Sequence, residues 1–364
     1  MKSNLTPLKG SYPEQDCLFL LQEISQEFKS VEEKEKLIQS GQMHYSETIS
    51  QESEPTKEYT ELFLSMNKKY KSRLASEVMR LAEIAIQARP SFGSTEKPIV
   101  ILSLARAGTP IGVMLKKALS IKGVESVHYA ISIIRDKGID EEALKYVLDR
   151  FDAESICFVD GWTAKGVITR ELHSTVESFN KLNNTKVPKE LFVVSDIGGT
   201  ADYAATYSDY TMPSALMNST ISGLTSRSIL NDKVTGGFHG CVVYRHLSHC
   251  DYSNWFIDQI VAEMNVDNMC PEEEVSKEHR MKMTKNFLDS IQKEFGVGDI
   301  NRIKPGIAEA TRVMLRRVPD MLIVRSEKDN DVKHLIQIAQ EKNITIIVRE
   351  DMPFGACSLI KDVL

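Results

Sequence analysis

Apolar residues in this chain fall into short unbroken runs separated by longer stretches of helical spacing. Ile99–Leu104 (IVILSL), residues 127–134, residues 156–159 and Leu191–Asp196 (LFVVSD) are such runs. Runs that do not alternate with polar positions mark strands covered on both faces, as in a parallel sheet. Between them, residues 113–119 and the stretch opening at Thr169 read as helices. Leu62, Met66, Tyr70, Leu74, Val78 and Leu81 recur at helical spacing and predict a long amphipathic helix over residues 58–89. Residues 16–36, with Leu18, Leu21, Ile24 and Phe28 on one face, are expected to be helical as well. Residues 39–55 are polar and loop-like, and residues 242–244 suit an edge strand. Alternating strands and helices predict an α/β fold with a doubly wound parallel sheet.

The pattern changes after residue 264. Residues 265–280 are charged, contain Pro271-Glu-Glu-Glu274, and read as a linker. Helices are then expected over 281–295, 302–317, 332–342 and 354–363, with strands over 321–324 and 344–348. The expected organisation is a helical extension (1–90) packed on a core domain (91–264), a linker (265–280) and a small α/β domain (281–364).

Composition adds limits. The chain has 364 residues, 42% hydrophobic and 26% charged, as in ordinary globular proteins. A net charge of −6 gives no global attraction to nucleic acid, so an RNA site must be a local patch. Six cysteines without a CxxC pair read as reduced thiols, and no metal site is expected from them. The N-terminus lacks an apolar leader run, and no run reaches the ~18–20 residues of a membrane span. A cytoplasmic protein is expected, with no membrane partner.

Candidate chemistry clusters at predicted strand ends, where ligands of such sheets bind. The strand at 156–159 runs into Asp160, then Thr163-Ala-Lys-Gly166, then a helix at Thr169. Unpaired N–H groups at a helix start attract an anion, and the acid can hold hydroxyls or a metal. Leu104-Ala-Arg-Ala-Gly108 is a second loop of this kind, where Arg106, Ala107 and Gly108 could grip another phosphate. Arg135 and Asp196 stand at two further strand ends, and Arg227 offers an extra anion contact.

These two loops resemble those of type I phosphoribosyltransferases, a likeness covering residues 99–196. Gly161 stands where that family has a second acid, and Ala164-Lys-Gly-Val167 where it has Thr-Thr-Gly-Gly. The resemblance implies binding of phosphoribosyl pyrophosphate or a related ribose phosphate with Mg²⁺. It also implies transfer of the phosphoribosyl group, with Asp160, Asp196 and Arg135 in the reaction and the loop residues on the phosphates.

More narrowly, residues 10–260 resemble a bacterial family described both as phosphoribosyltransferase-like and as StiP cysteine proteases, associated with stress and tellurite-resistance gene clusters. Gly10-Ser-Tyr-Pro13, His44-Tyr-Ser-Glu47, Ser132-Ile-Ile-Arg-Asp-Lys-Gly-Ile-Asp140, Val159-Asp-Gly-Trp162, Pro213-Ser-Ala-Leu-Met-Asn-Ser219 and Phe238-His-Gly240 carry it. A protease reading points to Cys241 and His239 as nucleophile and base, and a non-catalytic nucleotide sensor is a third reading. The small domain resembles the Pelota type of RNA-binding domain, which implies contacts to structured RNA through Lys304, Gly306, Glu309, Arg312 and Arg316. A homo-oligomer is expected.

Overall fold

The computed structural model describes residues 5–362, apart from the side chain of Arg316. In chain order the elements are β1 (Leu18–Leu20), β2 (Gln22–Glu23), α1 (Val31–Gln39), α2 (Lys57–Ala88), β3 (Ile99–Leu104) and α3 (Thr109–Ile121). Next come β4 (Ser126–Ile131), β5 (Ile133–Ile134), β6 (Gly138–Ile139), α4 (Glu141–Leu148), β7 (Ile156–Thr163), α5 (Val167–Asn183), β8 (Leu191–Asp196) and β9 (Tyr203–Thr206). The chain continues through β10 (Gly240–Cys241), α6 (Ser253–Val261), α7 (Lys277–Phe295), β11 (Ile303–Pro305) and α8 (Ile307–Arg316). It ends in β12 (Pro319–Val324), α9 (Lys333–Glu341), β13 (Thr345–Val348) and β14 (Ala356–Ile360).

Six strands form one sheet in the order β1-β4-β3-β7-β8-β9, with every neighbouring pair parallel. Both faces are covered, which is why its strands read as unbroken apolar runs. Ile99, Ile101, Cys157, Val159, Phe192 and Val194 pack into the core on the side of α2, α3 and α6. Val100, Leu102, Ile156, Phe158, Leu191 and Val193 point the other way, toward α4 and α5. The fold is α/β with a mainly parallel sheet, as the sequence pattern predicts.

A second sheet, β11-β14-β12-β13, is mixed: β14 is antiparallel to both neighbours, and β12 and β13 are parallel. The two units share a core, because Ala164 and Ile197 at the ends of β7 and β8 join Ile303, Phe354 and Leu359. No helix among the described residues is long and apolar enough to cross a membrane.

Three elements depart from the sequence reading. Residues 16–36 do not form one helix: Leu18–Leu20 adds an edge strand beside β4, and the helix begins only at Val31 behind a Ser30 cap. Apolar residues three or four apart also fit two short strands when a sheet edge is available to pair with. Residues 302–317 split at Gly306, where φ is +94°, into β11 and α8. Ala356–Ile360 is a buried central strand rather than a closing helix; residue 363, the end of that expected helix, lies outside the described residues.

Candidate functional site

The strand-end loops come first, because the sequence singled them out. Asp160 lies inside β7, and its Oδ1 accepts the N–H of the next residue, Gly161, at 2.8 Å. Burial pushes its carboxyl up to about 7, against the pull of that N–H and of Arg312. Thr163 pairs its hydroxyl with Thr200 at 3.1 Å. Lys165 is engaged across the junction: its ammonium donates to the carbonyls of Ile300 and Ile303 in the small unit, each at 3.0 Å. Burial and nearby Lys304 lower it to about 7. Gly166 starts α5 at φ +65°, where a Cβ would meet Thr200 at 2.7 Å. Ala164 and Thr169 are buried.

The other strand ends are closed too, one by its own turn and one by distant segments. Asp196 is fully buried and accepts N–H groups from Gly198 (3.2 Å), Thr200 (2.9 Å) and Ala201 (2.8 Å), all in its own turn. Arg106 is held by Glu52 at 2.8 Å and donates to the Thr225 carbonyl. At Gly108 a Cβ would lie 2.5 Å from the Val159 carbonyl, so this glycine lets α3 approach the sheet. Ala107 sits between these two constrained residues.

What the fold does bring together is a cleft of about 430 Å³ between the two units. Asp160, Thr163, Ala164, Lys165 and Gly166 meet Arg135, Arg227, Lys304 and Glu309 along its walls. Lys34, Glu35, Tyr45, Trp162 and Arg317 line it too; Tyr45 and Trp162 lie in stretches that the sequence singles out, whereas Lys34 and Glu35 carry no motif. Among these, Glu35 is almost fully buried on a helix otherwise rich in exposed charge, which the fold alone reveals. Arg106, Asp196, Cys241 and His239 lie outside the cleft. Magnesium needs several oxygen ligands. Asp160, raised to about 7, is only about half ionised near neutrality with Gly161 beside it, and Glu309 is already engaged by Arg312, Lys304 and Lys165, so the strand end offers no pair of free carboxylates to the ion.

In the small unit, burial opposes ionisation of Glu309, yet Arg312, Lys304 and Lys165 together hold its carboxyl down at about 2. Arg312 pairs with Glu309 at 3.0 Å and sits 5.6 Å from the ring centre of Trp162. Gly306 packs against Ile197, where a Cβ would come within 2.5 Å. The N–H groups of Ile307 and Gly355 donate to Asp209 of the large unit, each at 2.8 Å. Arg316 ends α8, and its side chain lies outside the described residues.

The thiols divide sharply. Cys17, Cys157, Cys241 and Cys357 are buried, and burial raises all four, Cys241 to about 12. The His239 ring bonds the Ser132 hydroxyl, and its backbone N–H donates to Asp140. A thiol this deep in β10 is held neutral and shielded from substrate, so Cys241 is corrected to a packing residue. Cys270 is partly buried, donates to the Ala205 carbonyl and is raised by burial and then by the Glu77 charge.

Cys250 differs. A ring nitrogen of His249, the Cys250 sulfur and a Glu54 carboxylate oxygen all lie within 4.8 Å of one another. His249 Nε2 is 3.1 Å from Glu54, both largely exposed. Burial, then the Glu54 charge, raises the Cys250 thiol, which donates to the Leu247 carbonyl. The group ends a short 3₁₀ segment, Arg245–Cys250, and Glu54 arrives from the loop before α2. These donors would also suit zinc, and theirs is the one such cluster among the described residues.

Residues 10–261 match the family of the tellurite-like stress resistance cysteine protease StiP, and residues 282–362 match the PELOTA RNA binding domain. A relative from Acinetobacter baylyi, the cysteine protease StiP, is 39% identical over 97% of this chain and 94% of its own. The hypoxanthine phosphoribosyltransferase of Trypanosoma cruzi is 13% identical over 37% of this chain and 77% of its own, with a TM-score of 0.27. The hypoxanthine-guanine enzyme of Leishmania tarentolae, solved with GMP, is 16% identical over 36% and 75%, also at 0.27. Those likenesses are too slight to assign chemistry. The expectation of a phosphoribosyl pyrophosphate-binding transferase is therefore overturned by the full-length match to a cysteine protease. The chain belongs to the StiP family of tellurite-like stress resistance cysteine proteases and carries a Pelota RNA-binding domain at 282–362.

Proposed function

We propose that this chain is a cysteine peptidase whose nucleophile is Cys250, with His249 as its base and Glu54 orienting the imidazole, and that its C-terminal unit binds RNA. The observation that carries the peptidase reading is the Glu54–His249–Cys250 group: a partly accessible thiol with both an imidazole and a carboxylate in reach. Nucleophile, base and orienting acid are recognised by geometry rather than sequence order. The thiol is neutral at rest, because burial and the Glu54 charge raise it. Its proton passes to the imidazole as sulfur attacks the peptide carbonyl. The imidazolium then protonates the leaving amine, and water releases the acyl group from sulfur. Glu54, accepting from Nε2, stabilises the imidazolium between these steps.

The test is hydrolysis of labelled casein by the full chain. Cys250→Ser should abolish it and Cys241→Ser should not. Iodoacetamide should inactivate the parent by alkylating Cys250, while a zinc chelator should leave it active. Full activity in the Cys250→Ser variant overturns the assignment, and loss of activity to the chelator alone points to zinc at the same group. For the second unit, the match to an RNA-binding family supports RNA as its ligand.

A further inference from the structure

The cleft between the two units is not used by the peptidase chemistry, and its charges are unbalanced. Arg317 is paired with Glu35 at 2.8 Å, and Arg135 is held by its neighbour Asp136. Lys34 and Lys304 have no side-chain hydrogen bond or ion pair within 4 Å among the described residues, though Lys304 feels the Glu309 charge, which it shares with Arg312 and Lys165. Arg227 gives one nitrogen to the Thr48 carbonyl, and its Nη1 is buried without a partner. Burial, then the charges of Arg227 and Arg317, pushes Lys34 down to about 8. Burial likewise brings Arg227 down to about 10, with Arg106 and Arg317 adding to the effect. Cations that depress one another mark a place where an anion would relieve the repulsion.

Three observations indicate the anion. The cleft is walled by both units, Lys304 and Arg317 coming from the RNA-binding one. The start of α8 is already filled: Asp209 takes the N–H groups of Ile307 and Gly355, where a phosphate oxygen would otherwise sit. Finally, the cleft carries aromatic rings beside its guanidinium groups. Arg135 and Arg227 lie 5.1 and 5.3 Å from the ring centre of Tyr45, and Trp162 lines the same space. Stacking surfaces between cations suit unpaired bases and their phosphates.

We propose that this cleft holds a single strand of RNA, with Lys34, Arg227 and Lys304 on its phosphates and Tyr45 and Trp162 against its bases. This rests on the reading of the C-terminal unit as RNA-binding, and it moves the contact from the α8 start to the junction of the two units. At about 430 Å³ the cleft has the size of a small-ligand site and is too small for a duplex.

Fluorescence anisotropy of the full chain with labelled oligouridine tests it. Lys34→Gln combined with Arg227→Gln should bind about 10-fold more weakly. Its log–log salt dependence should be shallower by about 1.4, roughly 0.7 for each lost phosphate contact on a single strand. Tyr45→Ala should weaken binding without changing that slope. Ultraviolet crosslinking to the unaltered protein, which needs no variant to fold, should map to the Tyr45 or Trp162 peptide. Wild-type affinity in the double variant, with crosslinks elsewhere, overturns the cleft while leaving RNA binding intact. No binding of any RNA by the full chain overturns both. Displacement of oligouridine by polyglutamate at equal charge shows an acidic-peptide site and overturns the assignment to RNA.

Discussion

The carboxyl end of the parallel sheet and the short turn at Arg245–Cys250 make an instructive pair. The first has every local sign of a site: acids at strand ends, glycine turns and helix starts. Yet its polar groups are consumed by their own surroundings. Asp196 is filled by three N–H groups of its turn, Asp160 takes the N–H of Gly161, and Lys165 is bound to carbonyls of the small unit. The second has no motif, only a His-Cys pair, but Glu54 reaches it from far along the chain. A strand-end acid tells where a ligand could sit in such a sheet; reactivity belongs to groups the fold leaves accessible and partnered for proton transfer.

The contrast can be broken most forcefully at the thiol. Cys250→Ala should lower casein hydrolysis by about 1000-fold or more, whereas Cys241→Ala should leave turnover near that of the parent. The reverse outcome would return the chemistry to the core strand. His249→Ala should cost about 100-fold in turnover with little change in melting temperature, as expected for a base rather than a prop. At the sheet, Asp196→Ala should act on stability instead, by about 2 kcal/mol in urea melts, because it strands buried N–H groups.

A last effect, comparable in size to that at Asp196, is a pH dependence at Asp160. Its carboxyl titrates at about 7 when folded, against ~3.9 unfolded, so the folded state holds the proton longer. The acid therefore weighs against folding increasingly as pH rises from about 4 to 7. Asp160→Asn removes that burden. Its stability relative to the parent should grow by about 2–3 kcal/mol between pH 5 and pH 8 in urea melts. A constant gap across that range would show the carboxylate to be compensated by neighbours.

Much of the fold was legible where one physical signal dominated. Ile99–Leu104 and Leu191–Asp196 are apolar throughout because sheet and helices cover both faces, and α2 shows its buried stripe in its own spacing. Leu18–Leu20 and Ala356–Ile360 were misread because short segments carry too few residues to separate a period of two from 3.6. Their state is decided by the strands that receive them, β4 for the first and β11 with β12 for the second.

Taken alone, the sequence determined the layering of the large unit, the Pelota-type pattern of the small one and, through dispersed motifs, the StiP family. Only the tertiary structure decided which thiol meets an imidazole and a carboxylate, and that Asp209 covers the start of α8. It alone placed Lys34, Tyr45, Arg227 and Lys304 around one cleft. The reason is physical. Periodicity and turn chemistry are local and leave their imprint on consecutive residues, whereas burial and partnership depend on segments that meet only after the chain has folded.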